Sequence, residues 1–154
     1  MGQCLRGAEG LSLIHILIEE SVDAHFERLH LDEICKPGIK VVLKPNLLMK
    51  RAPEEGTTAH PALVEAVVSH LQSLGVTDIT IADSPGGVYS KPLLTGIYKA
   101  TGMEDIARRR NVKLNEDIGS TYVPNPNGVI CKGFDLINPC LLYTSSCGLG
   151  RCHS

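Results

Sequence analysis

The chain has 154 residues and a mass of 16.6 kDa, with 43% apolar and 21% charged residues, so its length and composition suit one domain with a packed core. Fifteen Lys and Arg against seventeen Asp and Glu give a net charge of −2, which argues against binding nucleic acid or an acidic membrane surface through a basic field. Aromatic residues make up only 4% of the chain, which also argues against a stacking platform for single-stranded nucleic acid.

The two ends of the chain differ from its middle. Residues 17–138 show the periodicities and turn signals of a folded α/β domain, whereas residues 1–16 and 140–154 do not. The strings at 11–16 and 140–145 resemble translated sequencing-adapter DNA, so we expect a fragment of a longer protein with non-native or disordered ends. A native helix start and a native disordered tail are the alternative. The apolar run at 11–18 is too short to cross a membrane and lacks the cleavage site of a signal peptide.

A helix and a strand open the folded part. Four apolar residues lie at the spacing of one helix face: Ile18, Val22, Phe26 and Leu29. A Lys-Pro-Gly break at 36–38 precedes a β-branched run at 39–44, which predicts a short buried parallel strand. The following residues 47–59 predict a loop because they are rich in Lys, Pro, Glu and Gly.

A second helix is predicted to begin near Thr58–Pro61, because a threonine can cap the first turn and proline suits a position whose N–H has no partner. Its broad apolar stripe consists of Leu63, Val64, Val67, Val68, Leu71 and Leu74. Gly75 is the expected stop of this helix. The β-branched run at 76–82 then predicts a second strand, and residues 83–87 predict a turn.

A third helical stretch is predicted over 91–110, with a break at Gly102, and a short strand over 111–114. Residues 115–128 are rich in Asn, Pro and Gly, and residues 129–137 predict a further strand. Helices and strands therefore alternate along the chain. This order predicts a three-layer α/β domain with a mostly parallel sheet, which is incomplete if the chain is a fragment.

Candidate ligand-binding residues follow the first two strands of the predicted sheet. In open parallel sheets, ligands bind beyond the carboxyl ends of the strands. The expected ligand-binding residues are Lys44, Asn46, Thr57, Thr58, Ser84 and Gly86. A cation, an amide, hydroxyls and a helix amino end with free N–H groups suit a carboxylate or a phosphate. Asp83 and His60 are the candidate catalytic bases.

Several of these residues also have purely structural interpretations. Asp83 can bind the N–H groups of its own turn, Lys44 can be solvated at a strand end, and His60 can be an ordinary loop residue. Three other histidines have no ligand spacing and are expected on helix surfaces: His25, His30 and His70.

The cysteines do not predict a metal site in this chain. All six are scattered, so free thiols in a reducing cytoplasm are the expected state. Cys140, Cys147, Cys152 and His153 lack the paired short spacings of zinc and iron–sulfur sites. The sequence also lacks the motifs typical of dinucleotide-binding domains, P-loop proteins, serine hydrolases and zinc proteases.

Three blocks of the sequence, at 36–48, 57–61 and 81–86, resemble the domain of unknown function 362 family. The resemblance covers residues 17–138 and matches six family positions: Lys44, Asn46, Thr58, His60, Asp83 and Ser84. It implies an α/β domain that is often joined to a ferredoxin-like segment with four-iron–four-sulfur clusters. The four-cysteine cluster motif and the family's Lys- and His-bearing segment after residue 137 are missing here, so no cluster ligand is carried over.

The resemblance and the crevice together predict a function. We expect a fragment of an iron–sulfur-associated redox protein whose crevice binds an anionic small molecule, with a ferredoxin-like domain or partner supplying electrons. A non-redox isomerase or transferase is one alternative, with Asp83 or His60 as base and Lys44 as anion clamp. A non-catalytic anion-binding domain is the other. No cofactor within this chain and no nucleic-acid or membrane partner is predicted.

Overall fold

The computed structural model describes residues 13–85 and 90–138, with side chains from residue 15 onward. Its helices are α1 Leu13–Arg28, α2 Leu31–Ile34, α3 Pro61–Ser73, α4 Lys91–Ala100 and α5 Met103–Arg110, and a 3₁₀ turn spans Pro53–Glu55. Its strands are β1 Lys40–Leu43, β2 Asp78–Ile81, β3 Lys113–Leu114, β4 Ser120–Pro124 and β5 Gly133–Ile137. Of the ends predicted to be non-native or disordered, residues 1–16 and 140–154, only 13–16 are described, and they form the first turn of α1. The rest of these ends, with their four cysteines, lies outside the described residues. None of the described helices is long and apolar enough to cross a membrane.

The first three strands form a parallel sheet in the order β1-β2-β3. Val41 lies opposite Ile79, and Ile81 lies opposite Leu114. Each strand is short and rich in β-branched or aliphatic residues, and each is joined to the next through helices. The predicted α/β fold with a mostly parallel sheet is therefore confirmed.

One face of the parallel sheet packs against the helices. Ile79 and Ile81 on this face belong to the buried core, and Val41, Leu43 and Leu114 are partly buried and pack against it. The same core contains residues of α1, α3, α4 and α5, such as Phe26 of α1 and Met103 of α5, and Leu31 of α2 packs against it. The opposite face carries polar residues, including Asp78 and Lys113, which form a 2.8 Å ion pair. The described helices share a core on one face of the parallel sheet. The helical layer that a three-layer domain would have on the opposite face stays a prediction.

The last two strands form a separate antiparallel hairpin instead of extending the parallel sheet. The strand predicted over 129–137 begins only at Gly133, and its partner β4 lies within the stretch read as rich in Asn, Pro and Gly. Asn125 explains why β5 begins later than predicted. Its N–H donates to the carbonyl of Lys132, and its side chain donates to the carbonyl of Cys131. These bonds hold residues 129–132 in the hairpin loop.

The helix boundaries differ from the prediction at two amino ends. Helix α1 begins at Leu13, ahead of the predicted apolar face that starts at Ile18. Helix α3 is capped by the side chain of His60, not by a threonine, since the His60 Nδ1 accepts from the N–H of Ala62. The break at Gly102 is confirmed, because its φ of 77° is a left-handed conformation that favours glycine.

His70 joins three helices and does not lie on a helix surface as expected. Its Nδ1 is 2.5 Å from the Asp23 carboxylate of α1, and its Nε2 is 3.2 Å from the Asp32 carboxylate of α2. The ring packs against Phe26 with centroids 4.2 Å apart, and the side chain is only 13% exposed. The surface prediction for His70 is wrong, because contacts from α1 and α2 cover a position that the pattern of α3 alone leaves outside.

Candidate functional site

The carboxyl ends of the three parallel strands place polar side chains along one edge of the sheet. Lys44 directly follows β1, Asp83 lies two residues after β2, and Asn115 directly follows β3. The strand pairing continues past β3, since the N–H of Asn115 donates to the carbonyl of Ile81 at 2.9 Å. This is the edge at which open parallel sheets bind ligands.

Asp83 holds the loop that follows β1. Asp83 is only 3% exposed, and each of its two carboxylate oxygens accepts a hydrogen bond from a different group. The Lys44 ammonium donates to Oδ1 at 2.9 Å, and the N–H of Leu47 donates to Oδ2 at 3.0 Å. Asp83 is therefore more than a turn residue. Because both carboxylate oxygens already accept hydrogen bonds, this geometry suits a residue that positions Lys44 and the loop better than it suits a general base.

The Lys44–Asp83 ion pair is asymmetric in its exposure. The Lys44 side chain is 57% exposed, whereas that of Asp83 is 4% exposed. A molecule that approaches this edge therefore meets the ammonium, with the carboxylate behind it. Since Asp83 also restricts where the ammonium lies, Lys44 is more than a freely solvated strand end.

The loop at 57–60 is tied to the loop after β1. The N–H of Ala59 donates to the carbonyl of Asn46 at 2.8 Å, which brings the two predicted site segments together. Thr58 Oγ1 is buried and has no hydrogen-bond partner among the described residues. A buried hydroxyl of this kind is uncommon and is a candidate contact for a bound ligand or water. Thr57 is exposed in the same loop.

His60 caps the adjoining helix. Because its Nδ1 accepts the N–H of Ala62 at 3.2 Å, the hydrogen of the neutral ring sits on Nε2. In this arrangement His60 offers a donor, not a base. The N–H of Leu63 also has a partner, the carbonyl of His60. The expectation of free N–H groups at the start of α3 is therefore wrong for Ala62 and Leu63.

Two of the remaining predicted residues, Asn46 and Ser84, lie in the loops that follow β1 and β2. Asn46 and Ser84 are exposed, and Asn46 contributes its carbonyl to the loop contact described above. Gly86 lies outside the described residues. The structure thus brings Lys44, Asn46 and Asp83 together, while ligand contacts of Ser84 stay a prediction.

An open cavity of about 190 Å³ lies directly beside Lys44. Its other walls are apolar and come from β1, the loops after it and the first two turns of α3: Leu43, Pro45, Ala59, Leu63, Val64 and Val67. The cavity is therefore apolar, and Lys44 is the charged residue among those that line it.

Comparison with models of protein families identifies the family of this chain. The family model described as "Domain of unknown function (DUF362)" matches residues 41–145, about two-thirds of the chain. The chain belongs to the DUF362 family. No significant match is found among curated proteins or among solved structures. The matched range of the DUF362 domain contains the Lys44–Asp83 pair and His60, so the resemblance predicted from the three sequence blocks is confirmed.

The described part of this DUF362 domain does not fit an iron–sulfur cluster. A four-iron–four-sulfur cluster needs four thiolates, and residues 13–85 and 90–138 contain two cysteines, Cys35 and Cys131. No group of three or more His, Cys, Asp or Glu in these residues could hold a metal ion. Burial raises the pKa of the Cys35 thiol, and Asp32 raises it further, which disfavours the thiolate that binds metals.

The sequence-based prediction for this DUF362 domain did not include Asn115 among the residues at this sheet edge. The residue is buried, its Oδ1 accepts from the N–H of Asp117 at 3.1 Å, and its Nδ2 donates to the Asp117 carbonyl at 2.9 Å. The Asn138 side chain and the N–H of Gly119 hold the pKa of Asp117 below its usual value. The sequence does contain a signal for Asn115, because this residue directly follows the third predicted strand, as Lys44 directly follows β1.

Proposed function

We propose that this chain provides the crevice of an iron–sulfur-associated redox protein, and that the crevice binds a small carboxylate or phosphate at Lys44. The observation that carries the proposal is the asymmetric ion pair, in which the Lys44 side chain is 57% exposed and the Asp83 side chain 4% exposed. An anion can contact Lys44 without displacing Asp83, since the carboxylate lies on the buried side.

Asp83 prepares the site by holding Lys44 in place. A lysine side chain loses considerable rotamer freedom when it binds a ligand, and a lysine already held by a buried carboxylate loses less. The bond from Leu47 to the other oxygen of Asp83 keeps the loop after β1 in the same position. Asn46, Thr58 and Ser84 would supply polar contacts around the anion.

The redox part of the proposal rests on the family resemblance. The described residues do not supply four thiolates, so a cluster would be held by another segment or by a ferredoxin-like partner. The role of this chain's own residues is then to bind and orient the anion. Sequencing the source DNA past both ends of the reading frame tests this part, because a downstream four-cysteine motif supports it. If the frame shows no such motif, the same-chain version is overturned.

A non-catalytic anion-binding domain is the second candidate function. An isomerase or transferase would need a base at this edge, and in Asp83 and His60 the atoms that would take the proton already accept hydrogen bonds. Both Asp83 oxygens accept hydrogen bonds, and the Nδ1 of His60 accepts from the helix. These bonds favour binding over acid–base chemistry by the chain's own residues.

The binding proposal is tested by titrating acetate and inorganic phosphate into the purified chain and following amide shifts by NMR. We expect saturable binding to at least one anion and at least tenfold weaker binding by Lys44→Met. Lys36→Met is the matched control, because Lys36 is also exposed but precedes β1 at the opposite end of the strand. Equal binding by the parent chain and Lys44→Met, or no saturable binding by the parent chain, would overturn the proposal.

A further inference from the structure

The cavity beside Lys44 indicates what kind of anion the site takes. We propose that the ligand is an amphiphilic carboxylate, with its carboxylate on Lys44 and an apolar group of about six carbons in the cavity. This inference rests on the proposed function, because it assigns the rest of the ligand whose anionic group binds Lys44. It goes beyond the anion site in naming the substrate class.

The size of the cavity suits a single ring or a short alkyl chain. An engineered apolar cavity of about 150 Å³ in another protein binds benzene, which has six carbons. The cavity here measures about 190 Å³ and is open to solvent on one side. An alkyl or aryl group of this size therefore matches the volume of the cavity.

The lining of the cavity combines one charged residue with an apolar surface, as the proposed ligand combines a carboxylate with an apolar group. Lys44 is the one charged residue among the described residues that line it, and every other lining residue is aliphatic or proline. A simple inorganic anion would use Lys44 and leave this apolar wall in water. A carboxylate with an alkyl or aryl group could place the alkyl or aryl group against the apolar wall and its charge near Lys44, which borders the cavity. This charge complementarity distinguishes the ligand from a purely apolar one.

Leu63 explains why the apolar part would contribute to affinity. It lies in the first turn of α3 at the rim of the cavity and is 46% exposed. Covering such a side chain and the aliphatic wall behind it removes apolar surface from water, which favours binding. The gain is expected to grow with each methylene until the cavity is full.

The experiment compares acetate, butanoate and hexanoate, with hexanol as the uncharged control, by NMR titration of the intact chain. We expect the Kd to fall about two- to fourfold per added methylene. Hexanoate should then bind at least tenfold tighter than acetate and tighter than hexanol. Leu63→Ser should weaken hexanoate binding by a larger factor than it weakens acetate binding.

Leu136→Ser is the matched control, since Leu136 is a leucine of similar exposure, 37%, on β5 and does not line the cavity. It should bind hexanoate as the parent chain does. Equal Kd values for acetate and hexanoate would overturn the amphiphile and leave the anion site standing. Hexanol binding as tightly as hexanoate would overturn the amphiphilic carboxylate, because the cavity would then act without Lys44. The anion site is judged separately, by acetate and phosphate binding to the parent chain and to Lys44→Met. An effect of Leu136→Ser equal to that of Leu63→Ser would also overturn the assigned cavity.

Discussion

Replacing Asp83 by asparagine removes one of its two acceptor oxygens and keeps the size of the side chain. Both partners of the carboxylate are donors, the Lys44 ammonium at 2.9 Å and the N–H of Leu47 at 3.0 Å, so the new amide nitrogen must face a donor. A hydrogen bond to a charged group contributes about 1.5–3 kcal/mol. Lys44 is more than half exposed and can regain water, so the loss lies in the lower part of this range. We expect the free energy of unfolding to fall by about 2 kcal/mol.

Urea denaturation followed by circular dichroism measures this change. The midpoint should fall while the m-value stays the same, and the Tm should fall by about 4–8 °C. Asp135→Asn is the control, because Asp135 is an exposed carboxylate on β5 and its replacement should change stability by less than about 0.5 kcal/mol. An Asp83→Asn variant as stable as this control would refute the idea that the buried carboxylate holds the loop.

Three further changes test contacts elsewhere in the fold by urea denaturation. The hydrogen bond from Arg109 lowers the pKa of Glu65, so this pair stabilises the fold above the carboxyl's unfolded pKa and stops doing so as the pH falls through the lowered value. Glu65→Gln should cost about 1 kcal/mol near neutral pH and nothing in acid. Gly75→Ala should cost about 1–3 kcal/mol, since the φ is +83° and a Cβ would lie 2.9 Å from Pro37. His60→Ala should cost about 1 kcal/mol and His60→Asn less, because asparagine can still cap α3.

The parallel sheet could be predicted because each strand has a local signature. The runs at 39–44 and 76–82 are β-branched and are bounded by Pro, Gly or Asp, and the structure places β1 and β2 within them. Strand β4 escaped the prediction because its five residues end at Pro124 and lie among turn residues. Its strand conformation comes from pairing with β5, which a local pattern does not record.

The position of the candidate site could also be predicted, but its contacts could not. Parallel strands place their carboxyl ends at one edge, so Lys44 and Asp83 were expected there. Their ion pair joins residues 39 positions apart, and nothing in either loop alone specifies which member is buried. The same holds for the cap that His60 gives to α3 and for the apolar wall beside Lys44.

The sequence by itself determined the alternation of helices with the three parallel strands, the family, and the sheet edge at which Lys44 and Asp83 lie. These features depend on periodicity, turn residues and short motifs, which operate over a few neighbouring residues. Only the tertiary structure decided that Lys44 faces solvent while Asp83 is buried, and that His70 lies between three helices. Burial and long-range hydrogen bonds arise when distant segments pack together, so they depend on the whole fold rather than on any one stretch of the chain.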